Sequence, residues 1–196
     1  MARKNFDAGM NTGNEHKSQL SAKLIGCRIP KDFFITSGRG ESDITVHAGS
    51  YHMALKDAGI EMCNIMNYSS ILPGIAQEVP MPKSFVHGSV METISAVSTA
   101  PKGKRATAAI IFGWLFDRKT YKKYGGLVCE YNGELTAGAA EKQLRSSLNE
   151  IYCNGFSERY ELGGRKFMAE SFIPKKKFGT VMVVIGFINY IYPVIR

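Results

Sequence analysis

The run that most restricts the fold is FGTVMVVIGFINYIYPVI, residues 178–195, which carries no charged side chain over 18 residues. That length is sufficient for a membrane-spanning helix. The composition favours β structure instead, because Val, Ile, Phe and Tyr dominate the run, and because Gly179, Gly186, Asn189 and Pro193 interrupt it. We therefore predict a buried strand or pair of strands here, and no membrane partner.

The rest of the chain contains more predicted strand than helix. Strands are predicted over 27–38, 61–73, 87–100, 105–116, 125–134 and 165–174. One short helix is predicted over 50–60, ending at Gly59, and a longer one over 136–156, capped by Thr136. Because strands and helices do not alternate strictly, the fold class is α/β (α+β), with layered and mainly antiparallel sheets.

Length and composition indicate one domain. The 196 residues divide into a polar, flexible extension over 1–24 and a single domain over 25–196. The net charge of +8 comes from short scattered clusters without interleaved aromatics, so solvated loops are favoured and no nucleic-acid partner is predicted. A basic nucleic-acid-binding domain remains an alternative. The four cysteines form no CxxC pair, which favours buried thiols in a reducing compartment and a cytoplasmic location.

Two polar clusters are weak candidates for ligand sites. GRGESD, residues 38–43, contains a GxG that could cradle a phosphate, but no GK[ST] follows and a tight glycine-rich turn is favoured. His47 and His52 lie five residues apart, downstream of Glu41 and Asp43. No further ligand stands at a characteristic spacing, so we predict no metal.

The stretch NIMNYSSILPG, residues 64–74, places two adjacent serines at the end of a predicted strand. A turn there can strain the backbone, and the Ser70 hydroxyl can attack the carbonyl of Ser69 in an intramolecular reaction. A nearby amide, Asn64 or Asn67, could stabilise the oxyanion. On these residues alone a polar turn is the simpler interpretation, and self-cleavage is the alternative.

Three motifs in order, GRGESD, NIMNYSSILP and GLVCEYNGE, resemble the pyruvoyl-dependent arginine decarboxylase family. The resemblance covers roughly residues 28–190, and its middle motif is the most specific part. FVHGSVMETISA and KKFGTVMVVIGFINY are similar to the bacterial, chlamydial-type branch of that family. The resemblance implies an αββα sandwich that assembles as a trimer or a dimer of trimers, with active sites between subunits.

The resemblance also implies a self-processing mechanism. Ser70 would attack the Ser69 carbonyl, and β-elimination would separate a β chain, 1–69, from an α chain, 70–196, that begins with a pyruvoyl group. That group would form a Schiff base with the substrate and replace PLP or a metal as cofactor. Asn64 matches the family residue that assists cleavage, and Glu130 matches the proton donor.

The expected reaction is the decarboxylation of L-arginine to agmatine and CO2, a step associated with polyamine synthesis. The family has an aspartate facing the guanidinium where this chain has His52. A neutral imidazole is a poorer guanidinium partner than a carboxylate. We expect His52, Glu41 and Asp43 to bind substrate, with Asp57 and Glu92 as further candidates for the missing carboxylate. A different amino-acid substrate, a structural role for His52 and a non-cleaving homologue remain alternatives.

Overall fold

The computed structural model describes residues 24–194, so the predicted extension over 1–24 lies almost wholly outside the described residues. The strands are β1 (Ile29–Pro30), β2 (Asp32–Ser42), β3 (Asn64–Asn67), β4 (Ile71–Pro73), β5 (Gln77–Glu78), β6 (Val90–Pro101), β7 (Ala106–Asp117), β8 (Lys123–Gly133), β9 (Tyr160–Phe172), β10 (Phe178–Phe187) and β11 (Tyr190–Ile191). The helical elements are a π-helical turn (Val46–Tyr51) that continues into α1 (His52–Asp57), and α2 (Ala137–Gly155).

The strands form two main sheets. The first has the order β3-β6-β10-β2-β5, and the second has the order β4-β8-β7-β9. Most neighbours are antiparallel, and only β3 with β6 and β2 with β5 pair in parallel. The apolar run near the C-terminus forms β10 at the centre of the first sheet and the short β11, which confirms the prediction of strands there.

The two sheets pack face to face and each carries a helix on its outer face. Val181, Val183 and Ile185 of β10 face the second sheet, where they meet Ile110 of β7. The alternate residues of β10 pack with α1, and the outer face of the second sheet packs with α2. The layers are therefore α, β, β, α, and the predicted sandwich class is confirmed.

The long helix follows its sequence pattern. The Thr136 hydroxyl accepts a hydrogen bond from the Ala139 N–H at 3.3 Å, as expected of an N-cap. Ala140, Leu144 and Leu148 form its buried face against β7 and β8. These three residues recur every four positions, which keeps them on one side of the helix.

The glycine-rich turn predicted over 38–43 is wrong. Strand β2 continues to Ser42, and its glycines serve helix packing rather than a turn. A Cβ on Gly38 would lie 2.2 Å from the Ala54 carbonyl oxygen, and one on Gly40 would lie 2.3 Å from the Ser50 carbonyl oxygen. Glycine is required because the backbone of the helical segment rests directly on β2.

The expectation of buried cysteines holds for two of the four. Cys63 and Cys129 are buried, whereas Cys27 and Cys153 are exposed, the latter because it lies on the solvent side of α2. All four are free thiols. Within residues 24–194, no helix has both the length and the apolar character that a bilayer crossing requires.

Candidate active site

The segment Tyr68–Ser70 crosses from one sheet to the other. It leaves β3, an edge strand of the first sheet, and enters β4, an edge strand of the second. The Tyr68 N–H donates to the Thr93 carbonyl at 2.7 Å in the first sheet, and the Ser70 carbonyl accepts from the Val128 N–H at 3.1 Å in the second. The single strand predicted over 61–73 is therefore wrong: the chain changes sheets at the serine pair.

Ser70 is paired with Glu130. The Ser70 Oγ donates to the two carboxylate oxygens of Glu130, at 2.6 Å and 2.8 Å. Along β8, Leu127 and Cys129 face α2, so the alternate residues Val128 and Glu130 point into the space between the sheets. The Glu130 carboxylate is thus in hydrogen-bond contact with the Ser70 hydroxyl, which the sequence predicts to be the nucleophile.

The carbonyl of Ser69 is held by a tight turn. It accepts a hydrogen bond from the Ile71 N–H at 2.9 Å, which closes a three-residue turn around Ser70. This donor would lie next to an oxyanion that formed on the Ser69 oxygen. Ser69 is exposed and Ser70 is half-buried, with its hydroxyl on Glu130.

A thiol lies beside this pair but is not a competing nucleophile. Burial, with a smaller contribution from the neighbouring Glu130 carboxylate, raises the pKa of Cys129 to about 11. The thiol therefore stays neutral near pH 7, and only the thiolate is strongly nucleophilic. Its side chain also points to α2, away from Ser70.

Asn64 is the first residue of β3, the strand that leads to the serine pair, but it does not approach Ser69. Its Nδ2 donates to the Gly88 carbonyl at 3.0 Å. Four residues of extended chain separate it from Tyr68, which corresponds to about 13 Å. Asn67 is also engaged, because its Oδ1 accepts from the hydroxyls of Thr93 at 2.7 Å and Ser95 at 2.6 Å.

Glu41 and Asp43 lie at the opposite end of the first sheet. The Glu41 carboxylate accepts from the backbone N–H groups of Lys175 and Lys176, and Asp43 accepts from that of Lys177 at 3.0 Å. Along β10, the residue paired with Glu41 and the residue paired with Thr93 are seven positions apart. That separation is about 23 Å, so one chain does not bring these carboxylates to Ser70.

His52 begins α1 on the outer face of the first sheet and is exposed. It lines an open cleft of about 460 Å³ together with His47 and Tyr51, whose rings stack at 5.5 Å. The first sheet lies between this cleft and Glu130. Across residues 24–194, no three His, Cys, Asp or Glu side chains converge in a way that could hold a metal ion.

Glu92, one of the candidates for the missing guanidinium-binding carboxylate, lies on β6 and is only 3% exposed. Its carboxylate is bound by the Arg28 guanidinium and by the Tyr68 hydroxyl, so it is not free to receive a guanidinium from a substrate. The signal for its burial is its place beside Met91, Thr93 and Ile94, which are buried as well. Charged residues are rarely buried without a partner.

Fold and site together define an αββα sandwich with a serine–glutamate pair where the chain changes sheets. A sequence model described as pyruvoyl-dependent arginine decarboxylase matches residues 32–192. The pyruvoyl-dependent arginine decarboxylase AaxB of Chlamydia pneumoniae is 32% identical over 84% of this chain and 94% of its own length. The protein of the same name from Chlamydia muridarum is 31% identical over the same shares. The pyruvoyl-dependent arginine decarboxylase of Methanococcus aeolicus is 30% identical over 67% of this chain and 74% of its own length.

The chain belongs to the pyruvoyl-dependent arginine decarboxylase family. The predicted family and its chlamydial-type branch are thus confirmed. The family is defined by a covalent pyruvoyl group and is a family of carboxy-lyases.

Proposed function

We propose that this chain is a self-processing, pyruvoyl-dependent decarboxylase that converts L-arginine to agmatine and CO2. The observation that carries the proposal is the pairing of the Ser70 hydroxyl with both oxygens of Glu130, one peptide bond away from the Ser69 carbonyl. Nucleophile, proton acceptor and oxyanion donor are then contributed by Ser70, Glu130 and the Ile71 N–H.

Cleavage begins with transfer of the Ser70 hydroxyl proton to Glu130 as the oxygen attacks the Ser69 carbonyl carbon. The C–N bond breaks, the Ser70 nitrogen takes a proton, and an ester joins the two residues. Loss of the Ser70 Cα proton then expels the Ser69 carboxylate and ends the β chain, 1–69. Addition of water and loss of ammonia convert the dehydroalanine at position 70 into the pyruvoyl end of the α chain, 70–196.

The site fits this prosthetic group because the group would be made from the atoms of Ser70 itself, in contact with Glu130. Once formed, its ketone supplies an electrophile for the substrate amine and an electron sink as CO2 leaves. Neither PLP nor a metal is required. We propose that Glu130 then acts as the proton donor to the carbon that loses CO2.

Substrate binding would draw on a second copy of the chain. We infer a homo-oligomer, a trimer or a dimer of trimers, with active sites between subunits. Asn64 would then assist cleavage at Ser70 of one neighbouring copy. Glu41 and Asp43, with His52, would bind the amino acid at Ser70 of another copy, because Glu41 lies more than about 23 Å from Asn64 along the sheet. The inference is supported by their distance from Ser70 within one chain and by the exposure of Asn64 and His52. The free thiols support a cytoplasmic location.

Intact mass of the purified protein tests the proposal. We expect two fragments that divide between Ser69 and Ser70, the larger one lighter by one ammonia than simple hydrolysis would leave. Ser70→Ala should stay whole, whereas Ser146→Ala should mature normally, because Ser146 belongs to the serine pair inside α2. The cleaved protein should release CO2 from L-arginine faster than from lysine or ornithine. A wild-type chain that stays whole would refute the self-processing, and preference for another amino acid would refute the substrate.

A further inference from the structure

An ionic cluster around the buried Glu92 adjoins the serine pair, and the proposed reaction does not use it. Glu92 is held by two donors: the Arg28 Nε donates to Oε2 at 3.1 Å, and the Tyr68 hydroxyl donates to the same oxygen. The Arg28 guanidinium also forms an ion pair with the other carboxylate oxygen. A buried carboxylate is stable only when it is paired in this way. Loss of Arg28 would remove the counter-ion of Glu92, whereas loss of the Tyr68 hydroxyl would leave the ion pair with Arg28 in place.

A second tyrosine completes this group, which we call the Glu92 cluster (Arg28, Tyr68, Glu92 and Tyr190). The Arg28 guanidinium lies 5.6 Å from the centre of the Tyr190 ring. The Tyr190 hydroxyl is buried and has no hydrogen-bond partner among the described residues. Burial, with the nearby Tyr68 as a lesser cause, raises the pKa of Tyr190 to about 12, so its ring remains neutral.

The cluster holds Tyr68, which precedes Ser69 and so lies one residue before the bond to be broken. Tyr68 is fixed at three points: its hydroxyl on Glu92, its N–H on the Thr93 carbonyl at 2.7 Å, and its ring 5.7 Å from that of Phe187. On the other side of the bond, Ser70 is fixed by Glu130 and by the second sheet. The carbonyl of Ser69 therefore lies between two residues, Tyr68 and Ser70, whose positions are fixed by these contacts.

Ser69 has no comparable anchor of its own. It is exposed, and its described contact is the turn hydrogen bond to the Ile71 N–H, which belongs to the far side of the bond. On the N-terminal side of the bond, the position of the Ser69 carbonyl relative to the Ser70 hydroxyl is thus set by Tyr68. Intramolecular attack is sensitive to such placement, and a shift of about 1 Å can cost on the order of 100-fold in rate.

We propose that Tyr68 and Glu92 are positioning residues for self-cleavage, holding the Ser69 carbonyl where the Ser70 hydroxyl can attack it. This inference rests on the proposed self-cleavage. Arg28 takes part by holding the Glu92 carboxylate in place through its two contacts with the carboxylate oxygens. Neither Tyr68 nor Glu92 touches the reacting atoms, so their effect is on the rate of maturation and not on the chemistry of the mature site.

The sharpest test is Tyr68→Phe, which removes one hydroxyl and keeps the ring against Phe187. The matched control is Tyr152→Phe, because the Tyr152 hydroxyl donates to the Tyr160 carbonyl at 2.9 Å on the far side of the second sheet. Maturation of freshly made precursor is followed by intact mass, and decarboxylation is measured per cleaved chain. We expect Tyr68→Phe to mature at least about tenfold more slowly than wild type. Tyr152→Phe should mature at the wild-type rate, and both variants should have normal activity per cleaved chain.

Hydroxylamine separates positioning from general loss of stability. It cleaves the ester that links Ser69 and Ser70 before elimination, so it reports how often the hydroxyl has attacked. We expect hydroxylamine cleavage of Tyr68→Phe to slow in parallel with maturation, at a melting temperature close to that of Tyr152→Phe. Glu92→Gln, which keeps the side-chain volume, should show the same slow attack if it folds.

The outcomes distinguish the two proposals. A wild-type chain that never cleaves overturns the proposed function itself. A wild-type chain that cleaves, together with a Tyr68→Phe variant that matures at the same rate, overturns only the role of the Glu92 cluster. Equal slowing of Tyr68→Phe and Tyr152→Phe also overturns it, because the effect would then follow stability.

Discussion

Replacing Glu130 with Gln tests the proposed proton acceptor most directly. The Ser70 hydroxyl lies 2.6 Å and 2.8 Å from the two carboxylate oxygens, so a glutamine of the same length still offers one oxygen at hydrogen-bond distance. The hydroxyl therefore stays in place, and what is lost is the group that can take its proton. This one change therefore separates the positioning of the Ser70 hydroxyl from the ability of residue 130 to accept its proton.

The size of the effect follows from what a positioned base contributes. Proton transfer by such a base typically accelerates a reaction about 10²- to 10⁴-fold. We expect maturation of Glu130→Gln to slow by that factor, so that a precursor with a half-life of about one hour would need several days or longer. Decarboxylation by the chains that do mature should fall as well, because the same carboxyl is the proposed proton donor.

The assay is a time course of intact mass on freshly purified precursor. Glu134→Gln is the control, since Glu134 is exposed just beyond the end of β8 and makes no side-chain hydrogen bond within residues 24–194. It should mature at the wild-type rate. Glu130→Asp should recover part of the loss, because it restores a carboxylate at a longer distance. Maturation of folded Glu130→Gln within about threefold of wild type would refute Glu130 as the base.

Three further predictions concern stability and reactivity. Gly38→Ala should destabilise the fold by about 1–3 kcal/mol because its Cβ meets backbone at 2.2 Å, whereas Gly138→Ala, with nothing within 4 Å, should be neutral or stabilising in urea unfolding. The Thr120 and Lys119 N–H groups, with Arg159, lower the pKa of Asp117 from 3.8 to about 2. Its stabilising effect is present above pH 4 and lost as pH falls towards 2, so Asp117→Asn should lower the melting temperature at pH 6 and have little effect at pH 2. The two exposed cysteines should react with a thiol reagent at pH 8, while Cys63 and Cys129 should react only after unfolding.

The parts of the fold that sequence predicts well are those specified by local pattern. The helix after Thr136 repeats its apolar residues every four positions, and β10 is a continuous β-branched run, so both were identifiable without tertiary information. Gly38 and Gly40 misled for the opposite reason. They look like turn residues, but the atoms that require them belong to the helical segment that packs across β2.

The candidate site shows the same limit more sharply. Resemblance to the family predicts Ser70 as the pyruvoyl precursor and Glu130 as the proton donor. Their contact could not be predicted, because they lie 60 residues apart and the pairing of β4 with β8 brings them together. The end of β3 at Asn67 could not be predicted from the sequence nearby. Whether a chain stays in one sheet or crosses to another depends on which strands pair with it, and those strands are distant in sequence. From the sequence, Glu92 is a candidate to bind the substrate guanidinium, but its partners, Arg28 and Tyr68, come from segments distant in sequence and could not be predicted.

The position of the serine pair also explains how the fold can survive the proposed cut. Cleavage after Ser69 leaves β2 on the β chain and β10 on the α chain, and these two strands pair over ten residues in the middle of the first sheet. The new ends stay with different sheets, since Tyr68 is bonded to Thr93 and the residue at position 70 is bonded to Val128. The strand pairing and the core between the sheets are therefore independent of the peptide bond that is lost. We expect the two fragments to migrate as one species in native gel filtration and to separate only in denaturant; separation under native conditions would contradict this account of the connector.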